Sequence, residues 1–262
     1  MSSCCAILHR RSESRLHENY TTKKSQKSID IRLFGRFSEK FTKTKPIAPV
    51  GKEDLGDSMD QQKEVRPVVR RARGLQRIAS ILDAAETVFA KEGFDSATTH
   101  QIAAQAEISP GSLYQFFSNK EEIAQALAAR YVEELQRVYS TIFSLEAAAL
   151  PFSHWLNQVV DDLIAFHLAH PAFDTLFDAP PSLAVAGLTH QLPKELQARF
   201  ELGFQVRAPH LPVTQRRLSA TMSVQLFKAV PRLILQAEEA EQKLLVSEMK
   251  TMLQRYLEPY LG

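Results

Sequence analysis

The sequence predicts an all-α protein: a small three-helix unit around residues 75–120, followed by a larger helical bundle. Three observations predict it. Apolar residues recur at i, i+3, i+4 and i+7 through most of the chain after Leu75. Helix-starting and helix-stopping residues fall at the ends of those stretches. Strand pairs, hairpin turn signals and internal repeats do not appear.

The bulk numbers set limits. A chain of 262 residues that is 44% hydrophobic can bury a core in one or two domains. A formal net charge of +2 does not announce a polyanionic partner, so that argument falls to local charge. The two cysteines, Cys4 and Cys5, are adjacent and cannot close a long loop, and no Cys/His metal spacing occurs. The expectation is a reducing cytoplasm, with no metal and no cofactor. No apolar run approaches the roughly 18 residues of a membrane span, and the start of the chain lacks a secretory apolar stretch.

Residues 1–65 read as a disordered extension, rich in Ser, Thr, Lys and Arg and without sustained period. Two other readings stand beside this one. Basic, Ser-rich leaders also serve as transit peptides, against which Glu13 and Glu18 argue mildly. Alternatively, Met59 is the true start and residues 1–58 are not made.

The first strong helix begins near Leu75, with Ile78, Ile81, Leu82, Ala85, Val88 and Phe89 on one face. Gly93 ends it, and Phe94 packs back. The second opens on a capping box, Thr98 with Gln101, and buries Ile102, Ala103 and Ala106. After a tight link at Glu107-Ile108, Ser109 caps a third helix with Pro110 in its first position. That helix runs from Gly111 to about Phe117. Ser118 and Glu121 form a further capping box, opening a long helix through Ile123, Leu127, Tyr131, Leu135 and Val138.

More helices follow. One covers Phe152 to His170, apolar on much of its circumference and stopped by Pro171. A Pro-rich loop with Pro180 and Pro181 leads to shorter helices over Pro193–Phe204. A long helix from Thr214 to Ala240 is expected to break or kink at Pro231. The last carries Leu245, Met249, Met252, Leu253 and Tyr256 on one face and ends at Pro259.

Three short helices with a very tight turn between the second and third make a helix-turn-helix, here residues 98–117. Small Ala residues let the two helices approach closely. The outward face of the third helix keeps Pro110, Gly111, Ser112, Gln115 and, if it is not core, Phe116. Small and neutral side chains suit a helix entering a major groove, where Gln115 can pair bidentately with adenine. Helix starts at Thr98, Ser109 and Ser118 offer N–H groups to phosphates, and Lys120 adds a point charge. Upstream, Arg66, Arg70, Arg71, Arg73 and Arg77 form an acid-free cluster. Alone it is as well read as a solvated tail. Beside this motif it reads as a flexible arm on the DNA backbone or minor groove.

Several motifs occur in register: Ile81-Leu82-Asp83-Ala84-Ala85, Phe89-Ala90-Lys91-Glu92-Gly93-Phe94, Thr98-Thr99-His100-Gln101-Ile102-Ala103, and the run from Ile108 to Glu122. On these residues the stretch Leu75–Tyr131 resembles the DNA-binding domain of the TetR family of transcriptional regulators. The resemblance implies that Thr99 and Tyr114 bind phosphate, that His100, Pro110, Ser112 and Gln115 face bases, and that Lys120 holds the backbone at its helix end. Tyr114 as a packing tyrosine is the alternative. The turn position often filled by Gly is Glu107 here, which predicts a non-glycine residue at positive φ.

The resemblance also implies a helix-turn-helix domain over residues 75–135 and an all-helical effector and dimerisation domain over 141–262. The apolar faces of 214–235 and 244–257 fit a four-helix dimer interface, and equally packing within one chain. Trp155, Phe166, His167, His170 and Phe173 are candidate pocket residues for an unknown small-molecule effector, although Trp155 and Phe166 also read as ordinary core. The implied function is that of a sequence-specific, ligand-responsive repressor. It would bind a palindromic operator in double-stranded DNA as a homodimer, in the bacterial cytoplasm and at the nucleoid. The alternative is an effector-independent DNA-binding protein with an architectural or cell-division role. No nucleophile–base pair, phosphate loop or metal set argues for an enzyme.

Overall fold

Side-chain caps set the starts of five helices among the described residues. The structure is a computed structural model that describes the backbone of residues 65–262 and side chains from residue 72 onward. The readings of residues 1–58, of Met59 and of the extension to residue 64 lie outside the described residues. Every regular element among the described residues is a helix.

Helix α1 spans Val65–Ser96 and is bent at Gly93, whose φ of 74° and ψ of 166° are not helical. Glycine tolerates that conformation without a Cβ clash. The chain folds back there, and the Phe94 ring comes to 5.5 Å from the Phe89 ring. The start of α1 corrects the expected flexible arm. The backbone at Arg66, Arg70, Arg71 and Arg73 is helical. Pro67 falls in the first turn, where a missing N–H costs nothing, and the Arg, Ala, Leu and Gln that follow are good helix formers.

Helix α2, Thr99–Gln105, opens on the expected box. Thr98 accepts from the Gln101 N–H, and the Gln101 side chain accepts from the Thr98 N–H. A cap of this kind is worth about 1 kcal/mol. The turn that follows is a Schellman motif: Ile108 N–H donates to Ala103 C=O and Glu107 N–H to Ala104 C=O. Glu107 sits at φ 55°, the only non-glycine residue with positive φ among the described residues. The expected strained turn is present.

Helix α3, Pro110–Tyr114, is capped by Ser109, which accepts from the Ser112 N–H. Helix α4, Lys120–Ile142, starts one residue later than expected. Asn119, not Ser118, is its N-cap and accepts from the Glu122 N–H, while Glu122 accepts from the Ser118 N–H.

Seven shorter and longer helices complete the chain: α5 Leu145–Ala148, α6 Phe152–Ala169, α7 Phe173–Asp178, α8 Leu183–Thr189, α9 Leu192–Arg207, α10 Val213–Gln236 and α11 Glu239–Leu261. Pro231 lies buried inside α10, which continues past it. Pro259 does not end α11. The helix runs on to Leu261, where burial of Leu257 and Leu261 outweighs one lost backbone bond.

One continuous core runs from Ile81 through Leu127, Tyr131 and Trp155 to Leu257. Helix α4 is its spine, contacting α1 at one end and α6, α7, α8 and α9 along its length. The small head made by α1–α3 therefore rests on the same helix that lines the bundle.

Candidate functional site

The exposed face of the head carries the residues singled out from the sequence. Ile102, Ala103, Leu113 and Phe117 are buried and hold α2 against α3. That packing turns His100, Gly111, Tyr114 and Gln115 outward as exposed residues, with Thr99, Pro110 and Ser112 half-buried beside them. Tyr114 stands 48% exposed, so it does not act as core. Its hydroxyl lies 2.9 Å from Thr99 Oγ1. The two hydroxyls named for phosphate contact thus form one paired donor group bridging α2 and α3.

Other members of the set are tied up. Thr98 and Ser109 spend their side chains on caps, and Ser109 Oγ also meets Ser112 Oγ at 3.0 Å. Phe116 is half-buried and packs against the core. Lys120 is a clearer correction. Its Nζ donates to the carbonyls of Phe94 and Asp95 at 2.9 Å and of Ala97 at 3.2 Å. It also sits 4.5 Å from the Phe94 ring centre. An ammonium has three N–H donors, and all three are used to pin the end of α1. Lys120 is a structural rivet rather than a hand for phosphate.

A second feature lies in the bundle. A cavity of about 510 Å³ is walled by α4, α6, α7, α8, α9 and α10. That is within the size range of small-molecule sites. His167 and Phe173 line it. Trp155, Phe166 and His170 do not. Trp155 donates its Nε1–H to Ile142 C=O at 2.9 Å inside a cluster of Phe143, Phe152, Phe200 and Phe204. Phe166 is 3% exposed and packs on Tyr131, His170 and Phe173. Both are core, each buried among other rings.

His170 has a different role, missed from the sequence. It is buried between two carboxylates: Nδ1 is 2.9 Å from Glu86 on α1 and Nε2 is 2.7 Å from Glu134 on α4. Arg130 completes the joint with bonds to Asp83 at 2.6 Å and to Glu86 at 2.8 Å. Burial pulls the His170 pKa down, but the hydrogen bonds and charges of Glu134 and Glu86 outweigh it and hold the group above its ordinary value. A protonated imidazole can donate to both carboxylates at once, and a neutral one cannot. The available signal was Glu86, a charged residue among the apolar positions Leu82, Ala85 and Phe89 of α1. His167 behaves oppositely: burial, then the neighbouring His170, push its pKa down to about 4. The two histidines have different surroundings. One faces the cavity, and the other has both nitrogens engaged.

Among the described residues no helix is long and apolar enough to cross a membrane.

Comparison with known proteins gives two family matches. Residues 81–127 match the family described as bacterial regulatory proteins, tetR family, and residues 151–257 match the tetracyclin repressor-like C-terminal domain. The A-factor receptor protein of Streptomyces griseus is 40% identical over 60 residues, 23% of this chain and 22% of that protein. The nicotine-responsive transcriptional repressor HdnoR of Paenarthrobacter nicotinovorans is 28% identical over 99 residues, 36% of this chain and 51% of that one. The chain spans about half or less of the length of these curated relatives. A TetR-like transcriptional regulator from Rhodococcus sp. RHA1 shares the fold with a TM-score of 0.57 at 21% identity, covering 69% of this chain and 95% of that one.

Proposed function

The chain belongs to the TetR family of bacterial transcriptional regulators, and from that premise we propose that it is a ligand-responsive repressor binding a near-palindromic operator as a homodimer. The observation that carries the DNA contact is the Thr99–Tyr114 hydroxyl pair at 2.9 Å, with exposed Gln115, Gly111 and His100 on the same face. Hydroxyls and helix N-terminal N–H groups fix register on phosphates, and Gln115 and His100 reach base edges. Helical Arg73 and Arg77 are exposed and add positive charge near the head. Arg70 and Arg71 belong to the same cluster in the sequence.

Dimerisation is supported by an apolar stripe left exposed along the last two helices. Leu218, Met222 and Leu233 on α10 and Leu244 and Met252 on α11 are each about half exposed or more. A two-fold axis through such a stripe buries it and sets two recognition helices one turn of DNA apart. The effector reading is supported by the cavity. Ligand binding there changes the population of states that fit the operator spacing, a coupling between two sites. The protein acts by binding rather than by catalysis, in the bacterial cytoplasm at the nucleoid.

The test is selection of random duplex DNA on the purified chain at two salt concentrations, repeated with Tyr114→Ala and Gln115→Ala. An enriched inverted repeat, weakened by both variants with helical content unchanged, is the expected result. Base-edge contacts of this kind are worth about 1–3 kcal/mol each. Salt-sensitive binding without an enriched motif, or full affinity in both variants, would sink the reading.

A further inference from the structure

The cavity described above is not chemically neutral. Its deep walls are apolar, with Leu135 and Tyr139 from α4, Leu163 from α6, Phe173 and Phe177 from α7, and Phe227 from α10. Set into them are His167 and Asp174, and also the buried Thr189, whose hydroxyl donates to Ala186 C=O at 3.4 Å. The facing atoms of His167 and Asp174, Nδ1 and Oδ1, lie 3.6 Å apart, too far for a hydrogen bond. His167 Nδ1 and Asp174 Oδ2 are buried and have no hydrogen-bond partner. A buried polar atom without a partner is costly and in native proteins is usually a place where something else binds.

Exposed Lys194, Lys228 and Arg232 also line the cavity, with Arg232 ion-paired to Asp178. This arrangement selects by exclusion. A carboxylate head driven inward meets the Asp174 carboxylate. An ammonium is repelled by Lys194 and Lys228, since the Arg232 charge is already balanced by Asp178. A neutral group that donates a hydrogen bond meets neither obstacle and gives Asp174 the donor it lacks.

We propose that the cavity holds a small, mostly apolar, uncharged effector whose hydroxyl donates to Asp174 beside His167. The proposal rests on the effector-responsive reading above and deepens it by naming the ligand class. Burial pushes the Asp174 carboxyl up against the opposing charge of Arg232, the direction expected of a carboxylate short of donors. The neutral His167 ring, its pKa near 4, offers an acceptor or a donor according to tautomer, so it accommodates the same hydroxyl without a net charge.

Three probes of similar length test the class by calorimetry on the full chain at pH 7.5: 4-butylphenol, octanoate and octylamine. The phenol is expected to bind, and the acid and amine at least about tenfold more weakly. Asp174→Ala, which removes the acceptor and opens no clash, should weaken the phenol by about ten- to a hundredfold, the worth of a hydrogen bond to a charged group. Should Asp174→Ala fail to fold, Phe227→Trp fills the void from another wall and should abolish phenol binding with Asp174 intact. Octanoate or octylamine binding as well as the phenol overturns the proposal. So does unchanged phenol affinity in whichever variant folds, or no phenol binding at all. Operator selection on the same preparation keeps the two ideas apart. Enrichment without phenol binding defeats only the ligand class, and phenol binding without enrichment defeats only the regulator.

Discussion

The Glu86 carboxylate lies 2.9 Å from Nδ1 of His170, so the first helix of the head is bonded to the turn that enters α7. Four residues beyond His170 stands Asp174, on the cavity wall. The joint and the cavity therefore share one short piece of chain. His170→Asn should remove the bridge between Glu86 and Glu134 and lower stability by about 3 kcal/mol, as expected when one partner of a buried ionic group is lost. Amide exchange should speed up around Glu86 and across 170–178 more than in α11. Uniform acceleration across all helices would mean that the joint has no local role.

The same joint makes stability depend on pH in a definite direction. The folded His170 pKa is raised above its unfolded value of about 6.5. Its contribution is complete below pH 6.5 and is lost as pH rises through the folded value. His167 has the opposite sign. Its folded pKa of about 4 lies below the unfolded one, so stability falls as pH drops from about 6.5 toward 4. Thermal melts across pH 4–9 should show both limbs. Difference curves against His170→Asn should retain only the alkaline limb, and those against His167→Phe only the acid limb. A single variant that flattens both limbs would contradict the separate roles given to the two rings.

The head was legible in the sequence because its signals are local. Thr98 with Gln101, Ser109 before Pro110, and Gly93 before Phe94 each name a boundary within a few residues, and the structure uses all three. Lys120 was misread because its partners are backbone carbonyls 23 to 26 residues away, which no side-chain pattern announces. The cavity was half legible for a related reason. Which of His167 and His170 faces the void depends on α7, a helix of six residues with no side-chain cap in a proline-rich region. Asp174, Tyr139 and Phe227 come to the cavity from three helices, and only tertiary packing brings them together. Helix α1 began earlier than its apolar period, because a row of arginines supports a helix without contributing to a buried face.

Lys120 allows a clean separation of rivet from phosphate contact. Lys120→Met keeps the aliphatic stem over Phe94 but strands the carbonyls of Phe94, Asp95 and Ala97. Stability should fall by about 2–3 kcal/mol. The slope of log affinity against log salt should stay at its wild-type value in the folded variant. A lysine that touches phosphate would instead lower that slope by about one, and that outcome would restore the DNA role.

The stripe on α10 and α11 makes the last prediction. Ser219, Ser223 and Phe227 are buried in the bundle, whereas Leu218, Met222 and Leu233 on the same helix are each about half exposed. A glutamate at Met222 or Leu233 adds a charge to a surface that is already solvated in the monomer, so the fold should tolerate it. In a dimer the same charge is buried against its own symmetry copy, where like charges repel and desolvation is uncompensated. Met222→Glu with Leu233→Glu should therefore sediment as a monomer with an unchanged circular dichroism spectrum. Operator affinity should drop by on the order of a hundredfold or more as the two half-sites cease to be bound together. A double variant that still sediments as a dimer would move the subunit contact to another face of the molecule.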